Sequence, residues 1–334
     1  MSHTKFLTRC LQLATYANGR TSPNPMVGAV LVYKGQIIGE GYHHRAGEPH
    51  AEVMAINSVQ DQSLLTSSTL YCSLEPCAHY GKTPPCSVLI TESRIPKVVI
   101  GCSDSNDLVN GKGIAHLKSH GVEVVLSENP AAFRELNRVF FCNKDLKRPF
   151  VSAKWAQSID GYLDRLRTKN ERATLISGPL ASLKTHQLRA TADGILVSAK
   201  TLNWDQPSLS TRNYFGKNPR PIVLVSSYLP DKVAIQKLSS LPLFVGNVAM
   251  LEGDKIVCDP QAIEHWLPKL LDFGIHHVLV EGGGRVLQSF FDTGCVDEWH
   301  RYTSLHTLSS GIPAPDLKLS GTASNLGEDC YERG

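Results

Sequence analysis

The residues with the most chemistry in them fall in two short segments. One is His50-Ala51-Glu52; the other is Pro76-Cys77, followed eight residues later by Cys86. One imidazole and two thiolates form a borderline-soft donor set that suits zinc. A hydrolytic zinc site takes three protein ligands and keeps a fourth position for water. His50, Cys77 and Cys86 are therefore the expected metal ligands. Glu52, two residues after the histidine, reads as the proton shuttle for that water. A structural knuckle would close with four ligands, and unrelated buried cysteines would need no neighbouring glutamate, so a catalytic centre is the expectation.

The order His-x-Glu…Pro-Cys…Cys is that of the zinc nucleobase deaminases. Their usual form ends Cys-x-x-Cys, whereas here Ala-His-Tyr-Gly-Lys-Thr-Pro-Pro separates the two thiols. Two helices must position these groups. Ala51 to Ser58 has apolar residues at helical spacing, and Ser87 to Glu92 continues a second helix with Cys86 near its start. The metal is thus expected between two helix N-termini, where the dipole favours negative charge.

Around them the pattern alternates. Phe6, Leu7, Cys10, Leu11 and Ala14 predict an amphipathic first helix ending at Asn18-Gly19. Ser22-Pro23-Asn24-Pro25 is a turn stiffened by two prolines. Asn24 within it is either a contact for a base or sugar, or only a turn former. Val27 to Tyr33 and Gln36 to Glu40 predict a hairpin around Lys34-Gly35. Strands over Thr69 to Ser73, Val98 to Gly101 and Val122 to Leu126, with a helix over Gly113 to Lys118, predict a mostly parallel sheet. A helix over Ala131 to Cys142 leads to the charged stretch Asn143 to Pro149, which reads as a domain boundary.

The second half also alternates. Strands are expected over Phe150 to Ala156, Gly194 to Ser198, Pro221 to Ser226 and His277 to Val280, with helices over Ser182 to Ala190 and Arg285 to Phe291. Glu281-Gly282-Gly283-Gly284 joins a strand to a helix, a junction where backbone N–H groups can approach a phosphate. It lacks the spacing of the dinucleotide fingerprint.

The chain has 334 residues, enough for two domains of roughly 100–200 residues each. A hydrophobic share of 42% and a charged share of 19% are those of an ordinary globular protein. A formal charge of +3 with 7% aromatics does not favour a nucleic-acid or membrane partner, which would want a basic face and stacking rings. Met1 to Leu13 has no long apolar core or cleavage site, so no signal peptide is expected, and no apolar run reaches roughly 18 residues. Cys10, Cys142 and Cys258 read as reduced residues of a cytoplasmic protein.

Three blocks are more specific. Asn-Pro-Met-Val-Gly-Ala from Asn24, Gly-Glu-Pro-His-Ala-Glu from Gly47, and Leu-Glu-Pro-Cys-Ala-His-Tyr-Gly-Lys-Thr-Pro-Pro-Cys from Leu74 resemble the bifunctional riboflavin-biosynthesis deaminase/reductase family. The eight-residue gap between the cysteines is particular to that family among zinc deaminases. The resemblance implies an α/β chain with a cytidine-deaminase-like α/β/α domain over 1–147 and a dihydrofolate-reductase-like α/β domain over 148–334. It implies zinc and NADPH as cofactors, a pyrimidine ribosyl phosphate as substrate, and a dimer. Its substrate contacts would be Asn24, His43, His79 and Lys82, with Lys82 placed to meet the ribose phosphate. In the second domain Lys154, Arg189, Leu209, Arg212 and Glu281 would contact substrate. Gln157, Thr201, Asp205, Ser226, Gly283 and Gly284 would contact NADPH.

The chain departs from the family at Ala173-Thr174-Leu175-Ile176-Ser177, which lacks a tryptophan, at Gln206, where a second aspartate is usual, and at Ser198 in place of a glycine. These positions bear on reduction and leave deamination untouched. The alternative to a two-step enzyme is therefore a deaminase whose second domain only binds substrate or dimerises.

Overall fold

In a computed structural model describing residues 3–78, 84–105, 109–169, 171–317 and 320–334, the alternating pattern condenses into two units. They are Met1–Lys147 and Arg148–Gly334, each built on its own main sheet. His79 and Lys82 lie outside the described residues.

In the first unit, α1 (Thr4–Thr15) buries Phe6, Leu7, Cys10, Leu13 and Ala14 along one stripe. β1 (Gly28–Tyr33) and β2 (Gln36–Tyr42) form the hairpin, with Lys34 and Gly35 both at positive φ, as a tight primed turn requires. Then follow α2 (Ala51–Asn57), β3 (Thr69–Leu74), α3 (Cys86–Glu92), β4 (Lys97–Cys102), α4 (Lys112–Ser119), β5 (Glu123–Leu126), α5 (Ala131–Leu136) and α6 (Arg138–Asp145). The sheet order is β2-β1-β3-β4-β5. The expected mostly parallel sheet is half antiparallel: β1 runs against both β2 and β3, while β3–β4 and β4–β5 are parallel. The cause is the hairpin. β2, α2 and β3 form a crossover unit of like-directed strands, and β1 is inserted between them in the opposite sense.

On one face α2, α3 and α4 bring Ala55, Ile56, Ile90 and Leu117 onto Leu31, Leu70, Val98 and Ile100. On the other, α1 and the α5–α6 pair bring Phe6, Phe133, Phe140 and Phe141 onto Val30, Val32, Tyr71 and Val99. The result is an α/β/α sandwich. The single helix expected over Ala131 to Cys142 is broken at Asn137, whose side chain is engaged elsewhere.

The second unit begins with β6 (Phe150–Gln157), β7 (Tyr162–Asp164), α7 (Pro179–Thr191), β8 (Gly194–Ser198) and α8 (Ala199–Asp205). It continues through β9 (Arg220–Val225), α9 (Lys232–Gln236), β10 (Leu243–Gly246), β11 (Lys255–Val257), α10 (Ile263–Trp266) and β12 (His277–Val280). It closes with α11 (Gly284–Asp292), β13 (Glu298–Thr303), β14 (Ile312–Pro313), β15 (Thr322–Leu326) and β16 (Asp329–Arg333). The large sheet runs β11-β10-β9-β8-β12-β6-β13-β16-β15. It is parallel from β11 to β13, and the C-terminal hairpin β15–β16 adds two antiparallel strands at the β13 edge.

Neighbouring strands β8 and β12 feed helices on opposite faces. Ala199 and Leu202 of α8 pack with Ile195 and Val197, whereas Leu287 and Phe290 of α11 pack with Leu196 and Val280. Divergence of this kind opens a crevice at the C-terminal ends of the two strands, the usual ligand position in an open α/β sheet.

Candidate active site

His50 is the N-cap of α2, in extended conformation (φ −72°, ψ 164°), so its ring stands clear of the helix while Glu52 lies in the first turn. Cys86 is the first residue of α3, and Cys77 lies on the segment leaving β3. The candidate ligand atoms of His50, Cys77 and Cys86 all lie within 4.8 Å of one another. His50 Nδ1 is 3.5 Å from Cys77 Sγ and 3.4 Å from Cys86 Sγ, and the Cys86 backbone N–H points at Cys77 Sγ from 3.2 Å. The Cys86 thiol, and then His50, hold the Cys77 thiol well below its ordinary value, while Cys86 is pushed well up by Cys77 and by burial. Zinc fits this donor set, which has three ligands of the right softness within reach of one ion.

Glu52 is 3% exposed. Burial, then the negative charge of Cys77, push its carboxyl up to about 7, with His50 pulling the other way. A carboxyl titrating near neutrality can both take and return a proton. His43 is also buried, which favours its neutral form. Its Nδ1–H donates to the Pro49 carbonyl (3.1 Å), so Nε2 is the lone-pair nitrogen and accepts from Asn24 Nδ2 (3.2 Å). That bond engages the Asn24 amide nitrogen, and among the described residues the amide oxygen has no partner.

Two further side chains hold this frame, and no local motif announces either. Asn137, buried, accepts from the Met26 N–H (2.8 Å) and donates to the Met26 carbonyl (2.9 Å), clamping the loop that carries Asn24. Glu75, buried two residues before Cys77, accepts the N–H groups of Asp104, Gly111 and Ile114 at 3.1–3.2 Å. Close approach continues at Gly113, where a Cβ would overlap the Pro76 carbonyl.

In the second unit, Arg189 on α7 grips Glu281 with two hydrogen bonds, Nε to Oε1 at 2.8 Å and an NH2 to Oε2 at 2.7 Å. Its remaining nitrogen donates to the Ser210 carbonyl (3.1 Å). Burial would raise the Glu281 carboxyl, but Arg189 and, more weakly, Lys154 hold it below its ordinary value. Lys154 Nζ lies 5.4 Å over the Tyr302 ring, its own pKa lowered by burial. Arg212, hydrogen-bonded to Ser208, lies near His186, whose protonation is disfavoured by burial first and then by Arg189 and Arg212. At the crevice, Ser198 caps α8 through the Thr201 N–H (3.1 Å). Gly282 has no room for a side chain against Val197, and Gly283, at φ +57°, lies over Thr201. This glycine cradle at the ends of β8 and β12 fits a phosphate-bearing cofactor.

Residues 1–102 match the family model described as the cytidine and deoxycytidylate deaminase zinc-binding region, and residues 149–304 match the RibD C-terminal domain. The riboflavin biosynthesis protein RibD of Aquifex aeolicus (strain VF5) is 33% identical, over 97% of this chain and 96% of that one. The Bacillus amyloliquefaciens protein of the same name is 38% identical over 95% of this chain and 87% of its own. The chain belongs to the RibD family. Among solved structures, Acinetobacter baumannii RibD superposes with a TM-score of 0.85 at 28% identity, covering 98% of this chain and 97% of its own. The diaminohydroxyphosphoribosylaminopyrimidine deaminase/5-amino-6-(5-phosphoribosylamino)uracil reductase of Thermotoga maritima does so at 0.84 and 32%, with the same coverage. As a RibD protein the chain is a riboflavin-biosynthesis enzyme with a cytidine-deaminase-like zinc domain and a dihydrofolate-reductase-like reductase domain.

Within this RibD chain the residues expected in the reductase site are unevenly placed. Lys154, Arg189 and Glu281 come together, with Arg212 beside them, but the Arg189 fork is already occupied by Glu281. Leu209 is 1% exposed in the core with Val223 and Phe244, at φ +52°, so only its backbone is left to meet a ligand. Thr201 and Gly283 adjoin, and Gly284 opens α11. Gln157, at the end of β6, accepts from Trp155 Nε1 (2.8 Å), and Ser226 is exposed at the end of β9. Asp205 is paired with Arg167, which also binds Asp164; Arg167 is a partner the sequence did not announce.

Proposed function

We propose that this RibD chain removes one amine from 2,5-diamino-6-ribosylamino-4(3H)-pyrimidinone 5′-phosphate by hydrolysis, then reduces the ribosyl side chain of the product to ribityl with NADPH. The observation carrying the first step is the gathering of His50, Cys77 and Cys86 within ligand reach, with Glu52 buried beside them. Zinc held by these three supplies acidification of the attacking water. Glu52 takes one proton from that water and passes it to the ring nitrogen, then takes the remaining hydroxyl proton of the adduct and delivers it to the departing ammonia as the C–N bond breaks. Asn24, oriented by His43, accepts from the pyrimidine or its sugar; His79 and Lys82 are assigned to the substrate by resemblance alone.

In the second unit NADPH supplies the hydride. Opening the ribose while C1′ is reduced consumes one proton, and the Lys154 ammonium, held between Glu281 and Tyr302, is the donor we assign. Glu281 favours that ammonium and Arg189 opposes it, while the two hydrogen bonds from Arg189 fix the Glu281 carboxylate. Arg212 and the backbone at Leu209 face the substrate, while Gln157, Thr201, Asp205, Ser226, Gly283 and Gly284 face the cofactor. The match over 149–304 and the intact Lys154–Glu281–Arg189 cluster support two activities over deamination alone. The reading extends to a cytoplasmic homodimer. Among the described residues no cysteine is joined in a disulfide, and no helix is long and apolar enough to cross a membrane.

The test follows ammonia and NADPH absorbance together in the full chain with zinc and the diamino substrate. Ammonia release followed by NADPH loss is expected; ammonia alone would reduce the protein to a deaminase with an attached module. Glu52→Gln should retain zinc and slow ammonia release by roughly 10²–10⁴-fold. Near-normal turnover in that variant would remove Glu52 from the mechanism.

A further inference from the structure

Lys200 stands in α8, two residues beyond β8 and next to Thr201 in the crevice. Its ammonium lies 4.6 Å from the centroid of the Trp204 ring and 5.8 Å from that of Tyr228. Contacts of this kind hold a cation in place without neutralising it. The nearby carboxylates are engaged elsewhere: Asp205 binds Arg167, and Asp231 binds Lys169 at 2.7 Å. Among the described residues Lys200 has no carboxylate partner.

The platform is fixed. Asn203 donates to the Leu229 carbonyl (2.8 Å) and accepts from the Asp231 N–H (2.7 Å), which ties the segment carrying Tyr228 to α8. β8 and β9 pair in parallel with Ser198 beside Leu224, so Lys200 and the exposed Ser226 and Ser227 leave the sheet at the same edge. An NADH site places a carboxylate at the adenosine ribose, where it accepts from the free 2′-hydroxyl and repels a phosphate. This edge offers two hydroxyls and an uncompensated ammonium instead.

On the reading that the second unit binds NADPH, we propose that Lys200, with the hydroxyls of Ser226 and Ser227, forms the subsite for the cofactor's adenosine 2′-phosphate. Lys200 thereby sets the preference for NADPH over NADH. The pairing is a charge-assisted hydrogen bond between a preorganised cation and a phosphomonoester, the strong class of such bonds. It also explains why Lys200 is left over two rings with its charge free.

The test is calorimetric titration of the full chain with 2′,5′-ADP and with 5′-AMP, which differ only in the 2′-phosphate. Lys200→Ala should weaken 2′,5′-ADP by about tenfold or more and leave 5′-AMP unchanged. Lys200→Arg, which keeps the charge, should retain most of the binding. Lys200 is exposed, so neither change threatens the fold. Equal weakening of both nucleotides would move Lys200 to the 5′-phosphate, and no weakening would remove it from the site; either result overturns the assignment. Wild-type protein that binds neither nucleotide would instead overturn the cofactor reading beneath it.

Discussion

Glu281 shows how much a single buried carboxylate depends on its partners. Its folded-state pKa lies below the ordinary value because Arg189 and Lys154 outweigh the cost of burial. The stability it contributes is therefore fully present above the unfolded carboxylate value and is lost as pH falls through the folded one. Replacing it by glutamine leaves the Arg189 guanidinium buried and unpaired, which should cost about 3–5 kcal/mol at neutral pH. Thermal melts of Glu281→Gln against the parent are expected to show that deficit at neutral pH and a narrowing of it below about pH 4. A deficit that is small at neutral pH, or that does not change in acid, would show that the pair does not act as described. Nothing local in the sequence announces this pair, since the partners are 92 residues apart.

Among elements, the helices and strands follow from apolar spacing, because one face of each must be buried whatever surrounds it. Direction and register within the sheets follow from connections, which is why β1 came out antiparallel to both neighbours. The break between α5 and α6 has a similar origin. Asn137 ends one helix and gives its side chain to the Met26 backbone, 111 residues away. Asn137→Ala strands a buried N–H and carbonyl and should cost about 1–3 kcal/mol. KM for the deaminase substrate should rise while zinc content stays constant; unchanged KM would mean that the loop bearing Asn24 holds itself.

At the scale of the whole molecule, the two units have separate sheets and separate cores. Zinc bound to the native state stabilises only the unit that holds it. Chelation should therefore abolish ammonia release and lower the melting of the first unit. NADPH consumption with deaminated substrate should persist, and its loss in parallel would mean that the two sites depend on one metal. The sequence by itself brought forward the candidate donor set and the candidate proton carrier, and determined the layered α/β class. Those rest on residue types at short spacing, which local backbone geometry converts directly into a helix cap or a strand end. Only the tertiary structure decided which charges neutralise one another, that Leu209 turns into the core, and that Lys200 has no carboxylate partner among the described residues. Each of these depends on segments distant in sequence, and packing alone brings them within a few ångströms.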